Sequence, residues 1–111
     1  MILSAHINNN ALIANIEIKE ANLTVSEELK TELFKLIDAG NKFIVVNFAG
    51  VVYVDSSFLG ALVSGLKYAI ANQADIAVAG LNKDIAGLFQ LIRLDKAFKI
   101  FTTAEEAAVS K

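Results

Sequence analysis

Residues 48–70 read FAGVVYVDSSFLGALVSGLKYAI. An apolar, strand-like run ends at Asp55-Ser56-Ser57, and an apolar pattern with helical spacing begins immediately after it, with neither Gly nor Pro between. A strand feeding directly into a helix is the repeating unit of a parallel sheet, so this junction decides the fold. It also raises a chemical question, because an acid and two hydroxyls stand together where strand C-termini meet helix N-termini. That is the place where α/β sheets gather their ligands.

Upstream of the junction, KFIVVNFA (42–49) is apolar without interruption at strand length, the pattern of a central strand buried on both faces. Before it, Thr24-Val25-Ser26-Glu27 has the form of a capping box and opens a helix. Leu29, Leu33, Leu36 and Ile37 recur at helical spacing, and Gly40 is the stop. At the start of the chain, ILSAHI and ALIANIEI flank Asn8-Asn9-Asn10 and predict a β-hairpin. In its second strand Leu12, Ala14, Ile16 and Ile18 share one face, with Ile13 and Asn15 on the other.

Downstream, Leu59, Leu62, Val63, Leu66 and Ile70 mark one helical stripe, and ADIAVAGL (74–81) is the next strand. Asn82-Lys83-Asp84 caps a third helix whose inward side is Ile85, Leu88, Phe89 and Ile92. FKIF (98–101) is a short strand, and Thr103-Ala104-Glu105-Glu106 is a second capping box before a last helix. The order is β-β-α-β-α-β-α-β-α. It predicts an α/β domain: a mixed, mostly parallel sheet with an antiparallel N-terminal hairpin at one edge and about four α-helices packed on it. Three of those helices compete for one face, leaving the other expected to be only partly covered.

The chain has 111 residues, the size of one domain, so residues 1–111 are read as a single unit. Its 55% apolar content supplies a core without cross-links. With no Cys, it has no disulfide framework, no thiolate metal site and no Cys nucleophile. A net charge of −2 with interspersed signs gives no nucleic-acid footprint. MILSAHINNN lacks the basic and apolar regions of a signal peptide, and no apolar run approaches the ~20 residues of a membrane span. The expectation is a soluble cytoplasmic protein with neither membrane insertion nor a cofactor.

The first account of Asp55-Ser56-Ser57 is capping, since Asp and Ser side chains accept from the unpaired N–H groups that open a helix. Capping requires one or two of the three residues, not all three. Gly60, Ser64 and Gly65 lower helix propensity, by up to ~1 kcal/mol for each Gly. Small residues at 60, 61, 64 and 65 allow the helix to lie close against a sheet or a partner.

VVYVDSSFLGALVSGLK resembles the signature of the STAS domain, the family of sulfate transporters and anti-sigma factor antagonists. There a hydrophobic strand end is followed by Asp-Ser-Ser or Asp-Ser-Thr, then Gly-Leu-Gly and an apolar helix. LFQLIRLDKAFKIFTTAEEAA resembles that family's C-terminal pattern, and the hairpin and first helix match in order and length, so the resemblance covers nearly the whole chain. It implies a STAS fold and a bacterial regulator without enzymatic activity. In such a switch the unphosphorylated form binds an anti-sigma factor that is itself a serine kinase, which releases a sigma factor. The kinase then phosphorylates a Ser of the motif, and a phosphatase resets it. By position the acceptor is Ser57, with Ser56 the alternate. The implied docking residues are Asn22, Thr24, Asp55, Ser56, Ser57, Phe58 and Gly60, with Lys83 and Asp84 as rim charges. The other role found in the family is a STAS subunit with a structural or regulatory part in a transporter or multiprotein complex, never phosphorylated.

The physics of the junction agrees with the switch. A helix N-terminus offers open N–H donors and partial positive charge, so a phosphate there is tolerated by the fold. The modification adds about −1.5 to −2 charges beside Asp55, which penalises a partner surface shaped for the neutral form. Two departures from the pattern stand out. Phe58 replaces Gly, which would set a ring beside the acceptor as an obstruction or an anchor. Lys19-Glu20-Ala21-Asn22 replaces a Gly-Glu-Leu-Asp-like segment, so that Asn22 stands where many members carry Asp.

Other chemistries fit poorly. A serine hydrolase needs a His base, and the single His6 lies in the first strand, expected half-exposed. No nucleophile elbow and no Gly-rich phosphate loop is present. Glu27, Glu28 and Glu32 with Lys30 and Lys35 read as a solvated, i,i+4-paired helix face, not as metal ligands. Phe89, Phe98 and Phe101 read as core.

Overall fold

The computed structural model describes residues 1–110. The elements run β1 (Leu3–Asn8), β2 (Ala11–Ile16), β3 (Glu20–Ala21), α1 (Leu23–Asp38), β4 (Phe43–Asn47), β5 (Tyr53–Val54), α2 (Ser56–Ala71), β6 (Asp75–Ala79), α3 (Lys83–Leu91), a 3₁₀ turn (Leu94–Lys96), β7 (Lys99–Phe101) and α4 (Ala104–Ala108). Five strands form the main sheet in the order β1-β2-β4-β6-β7. β1 and β2 pair antiparallel, and every other pair in that sheet is parallel. The expected α/β architecture and its N-terminal hairpin are therefore present. The hairpin closes at Asn8↔Ala11, and Asn9 takes a left-handed φ of 55°, which Asn tolerates better than most residues.

Strict alternation divides the sheet into two faces. Leu12, Ala14 and Ile16 of β2, Ile44 and Val46 of β4, and Ile76 and Val78 of β6 join the larger core with α1, α2 and α3. Leu29, Leu33 and Ile37 supply α1's side of it, Phe58, Leu59, Leu62 and Leu66 that of α2, and Ile85 and Phe89 that of α3. The opposite residues, Ala11, Ile13, Phe43, Val45, Ala77 and Ala79, are sealed by α4 through Ala104, Ala107 and Ala108. The second face is thus better covered than the sequence suggested, because an all-alanine helix face can lie close on a floor that is itself half alanine. Phe89 meets the rings of Phe48 and Phe98 edge to face, with centroids 6.0 and 6.3 Å apart, so Phe89 and Phe98 are core, while Phe101 is half-buried and packs at the margin of the α4 side.

Several local expectations are corrected. α1 starts one residue before Thr24: Asn22 is its N-cap, accepting from the Thr24 amide at 3.0 Å, and the Thr24–Glu27 capping box does not form. Ile70 and Ile92 are solvent-exposed, and Phe58, Ala61, Gly65 and Ala69 complete the inward side of α2. Gly65 is there for close approach, since an added Cβ would stand 2.7 Å from Leu33 Cδ1, whereas Gly60 faces open space. The acids of α1 do not pair with its lysines. Glu32 accepts from the Ile2 and Leu3 amides at 2.9 and 3.1 Å, Glu28 pairs with the Met1 ammonium at 2.7 Å, and Lys30 lies over the Phe34 ring. The Thr103 cap does form, with its hydroxyl accepting from the Glu106 amide at 3.1 Å.

A second, smaller sheet lies outside the main one. β3 and β5 pair in parallel as a separate two-stranded ribbon, with Glu20↔Tyr53 and Ala21↔Val54 in register. It stands immediately before the helices α1 and α2 and fixes where both begin.

Candidate functional site

Asp55 is the N-cap of α2, with extended backbone at φ −115°. Its two carboxylate oxygens serve different helices. Oδ1 accepts from the Phe58 amide at 2.9 Å, the usual capping bond, while Oδ2 accepts from the Leu23 amide at 2.9 Å in the first turn of α1. The Asp55 amide in turn donates to the Ala21 carbonyl at 3.1 Å, extending the β3–β5 ribbon by one bond. One acidic side chain therefore closes two helix N-termini and ties them together. The carboxylate is engaged by backbone, so the question posed by three hydrophilic residues in a row is answered for the first of them.

Ser56 and Ser57 occupy the first two helical positions of α2, and both are exposed. Neither hydroxyl has a hydrogen-bond partner among the described residues. The first intrahelical bond of this turn is Leu59 N–H to the Asp55 carbonyl at 3.2 Å, so the Ser56 and Ser57 amides lie ahead of it as open donors. Two free hydroxyls at the positive end of a 16-residue helix are not required for capping, which Asp55 already provides.

A third helix end lies alongside. Asn82 caps α3, accepting from the Ile85 amide at 2.8 Å, and its Nδ2 lies 3.4 Å from the carbonyls of both Val51 and Val52. Lys83 and Asp84 follow it and are exposed. Asp84 lines a shallow groove with Val52, Tyr53, Val54, Ile85 and Leu88. The N-termini of α1, α2 and α3 are thus joined through one connected set, Asn22 and Leu23 by way of Asp55 to the 51–54 segment and Asn82. Asn22 itself accepts from both the amide and the hydroxyl of Thr24, at 3.0 and 2.6 Å. Asn22, Thr24, Asp55, Ser56, Ser57, Lys83 and Asp84 all belong to this end of the molecule.

Phe58 does not belong to its surface. The ring is fully buried in the core and packs edge-on against Phe48 with centroids 6.4 Å apart, so it stands neither beside the serines nor in reach of a partner. In the first turn of a helix the side chain three positions after the cap points back over the sheet, and the larger core takes it in. Gly60 is on the exposed side, where an added Cβ would meet nothing within 4 Å.

The sequence reading missed the apolar component. Leu23, Val52 and Tyr53 are 66%, 61% and 53% exposed, and they flank the Asp55 clamp on α1 and on the ribbon. Four apolar residues in a row, Val51-Val52-Tyr53-Val54, do not show which of them face water, and only Val51 and Val54 are buried. His6 lies on the edge strand β1, its ring nearest the Asn15 side-chain amide at 3.5 Å, and forms no part of this end. No group of three or more His, Cys, Asp or Glu among the described residues could hold a metal. No helix among them is long and apolar enough to cross a membrane.

Comparison with known proteins accords with this geometry. The STAS domain family model matches residues 5–107. A candidate anti-sigma factor antagonist of Thermotoga maritima is similar at 25% identity and a TM-score of 0.86, covering 95% of this chain and 90% of that one. The phosphorylated form of the Bacillus cell fate determinant SpoIIAA shares the fold at 18% identity and a TM-score of 0.71, with 95% of each chain covered. A sulfate transporter family protein from Wolinella succinogenes shares it at 16% identity and a TM-score of 0.80, over 94% of this chain and 86% of that one. With the family model spanning all but the two ends, the chain belongs to the STAS domain family.

Proposed function

We propose that the protein is an anti-sigma factor antagonist controlled by reversible phosphorylation of Ser57, with Ser56 as the alternate acceptor. The unphosphorylated form binds an anti-sigma factor that is a serine kinase, and that binding releases a sigma factor. Phosphorylation by the same kinase ends the interaction, and a phosphatase restores it. The protein itself carries out no reaction in this scheme.

The observation that carries the reading is the division of labour at residues 55–57. Asp55 is fully occupied in closing α1 and α2, while two serine hydroxyls stand exposed and unpartnered one and two residues later. A phosphate added there gains the open amides and the positive end of α2, at no cost to the cap that holds the helix. The fold survives the modification, and what changes is the surface. Around it lie Asn22, Thr24, Gly60, Lys83 and Asp84, and a neutral, partly apolar docking face would meet a dianion at its centre.

The test is to incubate the protein with the anti-sigma kinase of its own operon and ATP, and to follow intact mass and complex formation together. The expected result is addition of one phosphate, lost in Ser57→Ala and retained in Ser56→Ala, with Ser57→Asp failing to bind the kinase. If phosphate is lost in Ser56→Ala instead, the acceptor is the alternate. If no phosphate is added and Ser57→Asp binds a partner as well as the wild type, the switch is refuted. An unphosphorylated STAS subunit of a larger complex then takes its place.

A further inference from the structure

The strands β2, β4, β6 and β7 all point the same way, so α1, α2 and α3 begin at one end of the molecule and finish at the other. The finishing end is rich in cations. Lys42 precedes β4, Lys67 stands one turn before the end of α2, Arg93 follows α3, Lys96 lies in the 3₁₀ turn and Lys99 opens β7. All five are exposed. The Lys42 ammonium donates to the Asn72 carbonyl at 3.0 Å, while the side chains of Lys67, Arg93, Lys96 and Lys99 make no ion pair or hydrogen bond among the described residues. Pairing with helix dipoles does not account for them, since neither α2 nor α3 has a basic residue in its last turn. The acids of this end are Asp38, Asp75 and Asp95, and each is turned to the protein itself. Asp38 accepts from the Tyr68 hydroxyl, Asp75 accepts from the Ile76 amide at 2.9 Å, and one oxygen of Asp95 is buried. The starting end is the reverse, for there Glu20, Glu27, Asp55 and Asp84 outnumber Lys19 and Lys83.

Exposed apolar side chains are set among these cations. Leu91 and Ile92 close α3 and are 77% and 42% exposed, with Arg93 next in sequence. Ile70, three residues after Lys67 on α2, is 61% exposed. We propose that this end docks on the surface of an anionic lipid bilayer, on which the protein rests without crossing it. The lysines and Arg93 meet lipid phosphates, while Ile70, Leu91 and Ile92 enter the boundary between headgroups and acyl chains. Two features favour a lipid surface over an acidic protein. The cations are lysines with the exception of Arg93, and protein interfaces are depleted in Lys whereas anionic headgroups attract it. The apolar side chains alternate with charges and are not gathered in the charge-free centre of a protein interface, and a fluid boundary can take each of them singly. The acidic end is repelled by the same surface, which selects one orientation and turns Ser57 away from the bilayer. The proposal does not depend on the reading of Ser57, whose surface lies at the helix N-termini.

The test is co-sedimentation of the full chain with vesicles of equal parts phosphatidylglycerol and phosphatidylcholine, with vesicles of phosphatidylcholine alone as the reference. The expected result is binding to the mixed vesicles that disappears with phosphatidylcholine alone and weakens steeply with salt. A cation near such a surface contributes about fivefold in affinity, so Lys96→Gln combined with Lys99→Gln should weaken binding by about 25-fold. Leu91→Ser should weaken it by about tenfold, and Lys19→Gln, at the opposite end, should leave it unchanged. These positions are exposed, and an unchanged circular dichroism spectrum checks each fold. A wild type that does not bind the mixed vesicles overturns the proposal; if it binds polyglutamate instead, and the Lys96/Lys99 double variant does not, the surface serves an acidic protein. Equal binding to phosphatidylcholine alone also overturns it, as does vesicle binding that the double variant or Leu91→Ser retains in full.

Discussion

Replacing Asp55 by Ala removes two hydrogen bonds at once, and their separate contributions can be worked from the structure. The bond to the Phe58 amide is an N-cap, whose loss typically costs about 1 kcal/mol. The bond to the Leu23 amide is also made by a carboxylate, but Leu23 is exposed and water replaces the acceptor, so about 0.5–1 kcal/mol is appropriate. Together Asp55→Ala should lose about 1.5–2 kcal/mol of unfolding free energy, or a melting temperature lower by roughly 6–10 °C for a chain this size. Asp55→Asn keeps one acceptor oxygen and should lose about half as much. Urea unfolding measures both, with the slope unchanged and only the midpoint moved. Amide hydrogen exchange adds the spatial readout: Leu23 and Phe58, on two different helices, should both exchange faster in the Ala variant. A loss under ~0.5 kcal/mol, or faster exchange at Phe58 alone, would refute the idea that one carboxylate locks both helix ends.

Three further outcomes follow from other residues. Gly60→Ala should stabilise the protein by about 0.5–1 kcal/mol because the added methyl meets open space, whereas Gly65→Ala should lose about 1 kcal/mol, its propensity gain outweighed by overpacking against Leu33; thermal unfolding compares the two. Phe58→Ala should cost about 3–5 kcal/mol, as a core ring does, and any loss of partner binding should scale with the unfolded fraction in a urea titration of the same sample. The Tyr68 phenol is held above its ordinary pKa, chiefly by its hydrogen bond to Asp38 and then by desolvation. A raised folded-state pKa means that this contribution to stability is complete below the unfolded tyrosine's value and fades as pH rises through the folded one. The phenolate absorbance assigned by difference from Tyr68→Phe should therefore appear at higher pH than for a free tyrosine, and Asp38→Asn should bring it down.

The order of elements was legible because each depends on local pattern. The uninterrupted run 43–47, the strand 75–79 and the hairpin around Asn9 are patterns that packing merely completes. What escaped was whatever depends on a second segment. Asn22 stands in place of Thr24 as the cap of α1; Asn is itself a preferred cap type, so two candidates lay in the sequence, and the β3–β5 ribbon that leads the chain into Asn22 marks the one used. The acids of α1 looked like a solvated face, and it is the start of β1 that draws Glu32 and Glu28 out of helical pairing. At the candidate site, the acid and hydroxyls were evident from the motif, but the double duty of Asp55 was not, since Leu23 is 32 residues away in sequence. The apolar residues around the clamp were passed over because strand-like letters conceal which side is wet.

The underside of the sheet is roofed by five residues, Ala104–Ala108, whose inward groups are methyls. So thin a lid works only by lying almost flush, and it behaves as a keystone near the tail of the polypeptide. Were it to lift, Ile13, Phe43 and Val45 would be bared as one oily plane. Tags or fusions attached beyond it should therefore be judged first by clumping rather than by lost recognition, because what they threaten is the seal beneath the sheet and not the helix ends above it.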